Sequence, residues 1–230
     1  MIISLKNFNY CTPKWISVFF MISFFFQPLK SQEIKKVKKY PFPNMVEQYY
    51  VLKSNKEIRN GPYRLTINNS IYQLGFYVNN QKAGTWQIYK SDNELEFIYN
   101  YDTKQLSKLS KEYFANSKDS MSRAPIFLGG LTYLCYCASN YIRLPEGLLE
   151  SIGPGQYRTI VKFEIDTIGV PGNYTIQTSS GNDDLDYEAA RCVKLASSLN
   201  FSFLPALGKG VPIKSSMIIP ISFSYTEIKH

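Results

Sequence analysis

Histidine, on which most nucleophilic and metal chemistry depends, occurs once in the 230 residues, as the terminal His230. Ser/His/Asp and Cys/His catalysis need an internal imidazole, as do histidine-based zinc and iron sites. A second candidate for chemistry is a cluster of four acidic residues that could bind a metal or act as acid and base: Asp183, Asp184, Asp186 and Glu188. They fall in the first turn of a predicted helix, where the macrodipole favours negative charge, and this structural explanation is stronger than a metal or acid/base site. We therefore expect a protein that is not an enzyme and has neither metal nor cofactor.

Composition indicates a folded, strand-rich chain. Hydrophobic residues make up 44% of the sequence and aromatic residues 15%, against 19% charged residues. The formal net charge of +8 allows anionic partners but identifies none. We expect no nucleic-acid partner.

The first 32 residues are predicted to be a signal peptide. Lys6 and Lys14 precede a twelve-residue apolar run, residues 15–26, whereas a membrane span needs roughly 20 residues. A retained membrane anchor is the alternative. Residues 33–45 follow, rich in lysine and carrying Pro41 and Pro43, and are predicted to be a linker that tethers the folded part.

Export would make the remaining cysteines, Cys135, Cys137 and Cys192, potential disulfide partners, but their number is odd. Cys135 and Cys137 stand two apart on a predicted helix and point to different sides, so they cannot bridge each other easily. We expect all three to be small buried side chains.

Residues 46–102 repeat weakly with a period of 23 or 24 residues. The segment at 61–65 is echoed at 84–89, and the segment at 74–77 is echoed at 98–101. Aromatic strands separated by Asn-rich turns predict antiparallel hairpins. The pattern resembles the MORN-type repeats of YwqK-like bacterial proteins, and the alternative is an ordinary meander. In either case we expect a ladder of aromatic side chains with no convergent polar site. Residues 103–120, polar and poor in strand formers, are predicted to be a second linker.

The C-terminal half predicts a three-stranded antiparallel sheet with a helix. Apolar residues alternate through 157–165 and continue after a turn at 174–178, which is typical of a hairpin. A helix follows, with Asp183 or Asp184 as its predicted cap, and a last strand alternates from residue 211 to 225. If the first two strands form a hairpin and the helix carries the chain back, the last strand lies beside the first. The order across the sheet is then second, first and third strand, or 2-1-3. Pro220, which has no N–H, favours an edge or a bulge over a central position. An exposed edge strand could pair with an extended peptide.

Six segments of this half carry a family resemblance. They are residues 125–130, 142–145, 161–169, 179–190, 203–212 and 220–223, with the motifs PIFLGG, IRLP, VKFEID, SSG, FLPA and PISF among them. In this order they resemble the TonB C-terminal domain of Bacteroidetes-type proteins, over residues 121–227. The expected fold class is therefore α+β: a TonB-like antiparallel three-stranded sheet packed with a helix, preceded by a small all-β domain of hairpins.

The resemblance implies a periplasmic protein that binds the TonB box peptide of outer-membrane transporters by strand addition. It implies that the edge from Ile213 to Ile219, including Ser215 and Met217, pairs with the peptide, flanked by Leu204, Pro205 and Ala206. If the leader is retained, inner-membrane proton-driven motor proteins are further expected partners. The alternative is a non-catalytic envelope adaptor that binds another surface or periplasmic component.

Overall fold

The structure is a computed structural model that describes residues 32–114, 122–148, 152–199 and 202–226. The expected signal peptide lies outside these residues except for Gln32. The N-terminal strands are β1 (Ile34–Lys39), β2 (Met45–Leu52), β3 (Gly61–Ile67), β4 (Ser70–Val78), β5 (Gln81–Tyr89), β6 (Leu95–Asn100) and β7 (Gln105–Leu109). The remaining elements are β8 (Ile126–Phe127), α1 (Leu131–Asn140), β9 (Gly155–Ile165), β10 (Pro171–Thr178), α2 (Asp183–Ser197), β11 (Phe203–Leu204), β12 (Ala206–Gly208), β13 (Val211–Ile213) and β14 (Ser215–Tyr225).

The N-terminal strands form a seven-stranded sheet in which each strand pairs with the next along the chain. Asparagine pairs make two of the tight turns: Asn68 and Asn69 join β3 to β4, and Asn79 and Asn80 join β4 to β5. All four have positive φ, the backbone conformation that two-residue hairpin turns require. The prediction of an all-β region of antiparallel hairpins is confirmed.

Both predicted linkers contain secondary structure, which corrects their description as connecting segments. In residues 33–45, Ile34–Lys39 form β1, paired along its whole length with β2. In residues 103–120, β7 pairs with β6 and a short 3-10 turn follows at Lys111–Tyr113. Neither segment has a clear apolar alternation, because an edge strand buries little of its own surface and is held by main-chain bonds to its neighbour.

The expected aromatic ladder lies in this sheet. Trp86 is fully buried, and its ring lies 5.0 Å from that of Tyr63, 5.3 Å from that of Tyr77 and 5.6 Å from that of Tyr101. Gly75 makes room for the indole, since a Cβ built at this position would lie 2.2 Å from the Trp86 ring. Gly75 thus serves the packing of the ladder.

The C-terminal sheet has the order β10-β9-β14, with antiparallel pairing throughout. This is the predicted 2-1-3 order. Helix α2 packs on β9 and β10, and α1 packs on α2. The predicted cap of α2, Asp183 or Asp184, is wrong by one or two residues: Asn182 is the N-cap, and its side chain accepts a hydrogen bond from the Leu185 N–H at 3.0 Å. The asparagine carbonyl satisfies a free helical N–H as an aspartate would.

The two halves share one hydrophobic core, which includes Trp86 of the large sheet, Leu134 of α1 and Phe163 of β9. Two buried polar contacts join them at the start of α1. Gln73 Nε2 donates to the Gly129 carbonyl at 2.7 Å, and the Glu96 carboxylate accepts the Leu131 N–H at 3.1 Å. The described residues from Ile34 onward accordingly belong to one compact unit.

Cys135, Cys137 and Cys192 are free thiols. Cys137 and Cys192 are buried and Cys135 is half-buried. Among the described residues, no helix has the length and apolar character needed to span a bilayer.

Candidate functional site

Strand β14 forms a long, regular edge of the C-terminal sheet. It pairs with β9 over eleven residues, from Ser215 opposite Ile165 to Tyr225 opposite Gly155, without a register shift. On its other side, no strand of the described chain pairs with it. Alternate side chains enter the core, and Ile219 and Ile221 are buried, whereas Ile218 on the opposite face is half-exposed.

Pro220 fixes which backbone groups of β14 face outward. Proline has no N–H to donate, yet the pairing with β9 continues through Pro220 unbroken. The nitrogen of Pro220 must therefore face the open side, because a missing inner bond would interrupt the ladder. In an antiparallel strand, alternate residues direct their N–H and C=O groups to the same side. The even-numbered residues of β14, including Ser216, Ile218 and Ser222, thus offer their main-chain groups to the open edge.

The other edge of the same sheet is less suitable for pairing. Strand β10 pairs with β9 through two register shifts, one between Gly172 and Thr175 and one between Ile176 and Thr178. Bulges twist a strand and disturb the even spacing of its main-chain groups. The regular edge of this sheet is therefore β14.

The residues predicted for the site fall into two groups. Ser215, Met217 and Ile219 lie in β14, with odd numbers, so their main-chain groups bond to β9 rather than to an added strand. Ile213 lies outside this edge, which corrects the prediction of one continuous strand. It belongs to β13, which pairs with β12, and Lys214 separates it from β14.

The flanking residues predicted for the site are held by contacts within the chain. Leu204 pairs with Ile126, and Ala206, fully buried, pairs with Ile213. The Pro205 carbonyl accepts a hydrogen bond from Arg123 Nη2 at 2.5 Å. This segment therefore supports the start of the last strands, and its main-chain groups are engaged.

The acidic run does not converge on one point, and two of its members have structural partners. Asp186 accepts hydrogen bonds from Thr159 Oγ1 at 2.5 Å and from the Ser180 N–H at 2.8 Å. Burial opposes ionisation of Asp186, but these hydroxyl and amide donors hold the pKa of its carboxyl below the usual value. Glu188 pairs with Arg191 at 2.5 Å. The Glu188–Arg191 pair lies within α2, and Glu188 also accepts a hydrogen bond from the Arg143 N–H. Both carboxylates thus join α2 to other parts of the chain, Asp186 through Thr159 and Ser180 and Glu188 through Arg143.

A second polar site, which the repeat pattern did not predict, lies beside the aromatic ladder. Arg59 Nη1 lies 3.0 Å from Glu47 Oε1, and its guanidinium stacks 4.2 Å from the Tyr49 ring centroid. Lys82 Nζ lies 3.3 Å from the Tyr101 hydroxyl and 4.8 Å from the Trp86 ring centroid. Glu47, Arg59, Lys82 and Tyr101 line one cavity of about 670 Å³. The expectation that this sheet has no convergent polar site is therefore wrong.

The hairpin pattern of the sequence contains a signal for part of this site, since residues on either side of a tight turn pair across the two strands. Tyr77 and Lys82 flank the Asn79–Asn80 turn and pair directly across the strands. Arg59 lies in the connection between β2 and β3, and no periodicity predicts where a loop side chain will point. Its backbone is held by Asn80, whose side chain accepts the Arg59 N–H at 2.6 Å.

The comparison with known families concerns the C-terminal sheet. Residues 156–225 match the family model TonB_C, Gram-negative bacterial TonB protein C-terminal. The matched stretch contains β10, α2, β14 and nearly all of β9, and it supports the assignment of this part of the chain to that family. No curated protein and no solved structure matches the chain significantly.

The match supports a TonB-like protein in TonB-dependent transport, in a family that is periplasmic or envelope-associated and whose members interact with outer-membrane transporters. The family is one of non-catalytic energy transducers. The resemblance of residues 46–102 to MORN-type repeats stays a prediction.

Proposed function

We propose that this protein acts in the periplasm by binding the TonB box peptide of an outer-membrane transporter as an added strand on β14. The observation that carries the proposal is the open, regular, eleven-residue edge of β14 within the segment that matches the TonB C-terminal model. A peptide that adds to such an edge gains main-chain hydrogen bonds without requiring a particular side-chain sequence.

The composition of β14 supports this use. Its eleven residues, SSMIIPISFSY, contain no charged side chain. Edge strands that are not used for pairing are normally protected by charges, bulges or a covering element. Pro220 is the single interruption, and it removes one outward donor while leaving four even-numbered residues to pair.

The main-chain groups of β14 point alternately to β9 and to the open edge, and this alternation predicts which substitutions affect peptide binding. Ile218 is half-exposed and directs its N–H to the open edge, so Ile218→Pro removes a donor to the peptide and leaves the pairing with β9 intact. Ile219 directs its N–H to β9, and Ile219→Pro should therefore break the protein's own sheet. The predicted site residues Ser215, Met217 and Ile219 contribute support to the edge, whereas Ser216, Ile218 and Ser222 supply its outward groups.

The test is a titration of the ¹⁵N-labelled protein with a synthetic TonB box peptide, followed by NMR. We expect the largest amide shifts along β14 and a loss of at least about tenfold in affinity for Ile218→Pro, or about 1.4 kcal/mol. The matched control is Ile218→Thr, which keeps a β-branched side chain and the N–H, and should bind within about twofold of the parent protein. A scrambled peptide of the same composition controls for non-specific contact.

Unchanged affinity in a folded Ile218→Pro variant would refute pairing on β14. No shift along β14 at millimolar peptide would instead favour the alternative, an envelope adaptor that binds another component. Inner-membrane motor proteins belong to the proposal only if the leader is retained, which determination of the mature N-terminus from envelope fractions decides.

A further inference from the structure

The large sheet has an open face on the side opposite the shared core. The pairing of neighbouring strands aligns one side chain of this face from each strand in a single row. From β1 to β7, the row consists of Lys38, Gln48, Arg64, Leu74, Gln87, Ile98 and Lys108. The sequence neighbours of Arg64, Gln87 and Ile98 are buried in the core, so these three side chains lie on the open side. The three cations of the row are exposed and its other side chains are half-buried.

This row carries positive charge without a carboxylate beside it. Within the described ranges, Lys38, Arg64 and Lys108 form no ion pair. The seven strands contain two acidic residues, Glu47 and Glu96. Both lie on the core side, Glu47 at the cavity and Glu96 at the start of α1. Charge complementarity therefore favours an anionic partner for the open face.

The cations of the row are widely spaced. Lys38 and Arg64 lie two strands apart, or about 10 Å, and Arg64 and Lys108 four strands apart, or about 19 Å, at about 4.8 Å per strand. Each strand of a nucleic-acid duplex carries a phosphate about every 3.4 Å, so its charges are much denser than those of the row. Amide and aliphatic side chains fill the positions between the cations. They suit neutral sugar units, whose hydroxyls bond to amides and whose C–H groups pack on aliphatic carbons.

A hollow of about 260 Å³ lies at the end of the row nearer β1. Its lining combines apolar, amide and cationic side chains, among them Lys36, Gln48, Tyr50, Pro62, Arg64 and Leu74. Pockets that enclose a whole ligand usually measure about 300 to 1,000 Å³. The hollow is therefore suited to one unit of a longer molecule that continues along the row.

Gln87, near the middle of the row, is oriented to donate hydrogen bonds. Its Oε1 accepts the Tyr89 hydroxyl at 2.7 Å. This bond fixes the amide plane and leaves the two N–H groups of Nε2 for an acceptor outside the sheet. A sugar hydroxyl or carboxylate oxygen is such an acceptor.

The width of the sheet favours a chain-like partner over a membrane. A sheet twists by about 20 to 25° from one strand to the next, so the two ends of a seven-stranded face differ in direction by more than about 100°. A planar bilayer cannot meet both ends of such a face. A flexible polymer that crosses the strands can follow the twist from Lys38 to Lys108.

We infer that this row binds an acidic polysaccharide in which uronic acids alternate with neutral sugars. The polymer lies across the strands from β1 to β7, with its carboxylates at Lys38, Arg64 and Lys108 and its hydroxyls at Gln48 and Gln87. Each cation then makes a charge-assisted hydrogen bond that a neutral glycan cannot supply. The site is separate from the β14 edge and does not depend on the proposed peptide binding.

The experiment is affinity electrophoresis and calorimetric titration of the full protein with hyaluronate, which has a carboxylate on every second sugar. Dextran is the neutral comparison, and a twenty-residue oligothymidylate and phosphatidylglycerol vesicles are the other polyanions. We expect saturable binding of hyaluronate, at least about tenfold tighter than that of dextran and weaker at high salt. A hyaluronate disaccharide, with its single carboxylate, should bind at least about a hundredfold more weakly than the polymer, because it meets one cation at a time.

Substitutions at Arg64 separate its charge from its contribution to the fold. Arg64→Gln should weaken hyaluronate binding by about tenfold, and Arg64→Lys, which keeps the charge, should lose less than about threefold. Both variants should unfold as the parent does, since Arg64 is exposed. Arg158→Gln is the matched control, because it removes an exposed arginine from β9 of the small sheet. It should leave hyaluronate binding unchanged.

Four results would overturn the inference. They are no binding of hyaluronate, equal binding of dextran, full binding by a folded Arg64→Gln variant, and a loss of binding in Arg158→Gln that equals the loss in Arg64→Gln. Tighter binding of the oligothymidylate or of the vesicles than of hyaluronate would likewise replace the polysaccharide by a nucleic acid or a membrane.

Discussion

The two sheets end in edge strands of opposite character. Strand β1, at one edge of the large sheet, has the sequence IKKVKK, and all four of its lysines are exposed. Strand β14, at one edge of the small sheet, is almost twice as long and has no charged residue. Lysine on an edge strand opposes the approach of another strand, because pairing would bury or crowd its charge.

This difference separates a protected edge from an available one within a single chain. The large sheet is protected at β1 by charge, and its core is filled by the aromatic ladder. The small sheet has an irregular edge at β10 and a regular, uncharged edge at β14. The comparison predicts that strand addition is disfavoured at β1 and favoured at β14.

The largest loss of stability is expected from a substitution in the aromatic ladder of the large sheet. Gly75→Ala would place a methyl group 2.2 Å from the Trp86 ring, and the indole, fully buried, cannot move without disturbing the ladder. We expect a loss of about 3 kcal/mol in the free energy of unfolding, measured by denaturant titration.

Gly172→Ala in β10 is the control for this substitution, since no atom lies within 4 Å of the Cβ that it would add. It should change stability by less than about 0.5 kcal/mol. Equal stability of the two variants would show that the large sheet is as loosely packed at Gly75 as the small sheet is at Gly172.

A smaller effect is expected at Glu96, which joins the large sheet to the start of α1. Glu96→Ala leaves the Leu131 N–H and the Tyr113 hydroxyl without their acceptor, and should cost about 2 kcal/mol of stability. Glu96→Gln keeps a carbonyl oxygen for both donors and should cost less. Thermal or denaturant unfolding of both variants measures the difference.

The same carboxyl gives a pH dependence. Burial raises the pKa of Glu96 above its usual value, so the folded state holds its proton more tightly than the unfolded state. Its contribution to stability is fully present below pH 4.5 and is lost as the pH rises through the folded pKa. Glu96→Gln should lack this component, and an identical pH profile in both proteins would contradict the assignment.

The smallest effect on stability is expected from replacing two of the lysines that protect the edge of β1. Replacing Lys36 and Lys38 by threonine should leave stability within about 0.5 kcal/mol, because both side chains are exposed. It should raise concentration-dependent self-association, measured by analytical ultracentrifugation, since the edge loses half of its charge. A variant that stays as monodisperse as the parent would show that β1 is kept from pairing by something other than lysine.

The local sequence determined the individual strands and much of their order. Alternation of apolar residues at 157–165 and 211–225 predicted two long strands, because a strand buries every second side chain, and the second of them begins at Ser215. The position of Pro220 and the return of the chain through α2 then predicted an edge position for the last strand. The repeated aromatics gave the ladder for the same reason, since each member recurs at a matching place in its hairpin.

Only the tertiary structure decided the contacts between residues distant in sequence. The junction of Glu96 with Leu131 and the shared cavity of Arg59 and Lys82 depend on how separate segments pack, and no local period encodes them. Ile213 illustrates the same limit, because its alternation is that of β14 although its partner is Ala206. A repeating pattern reports the face that a residue presents, whereas the neighbour that it meets is fixed by the shape of the whole core.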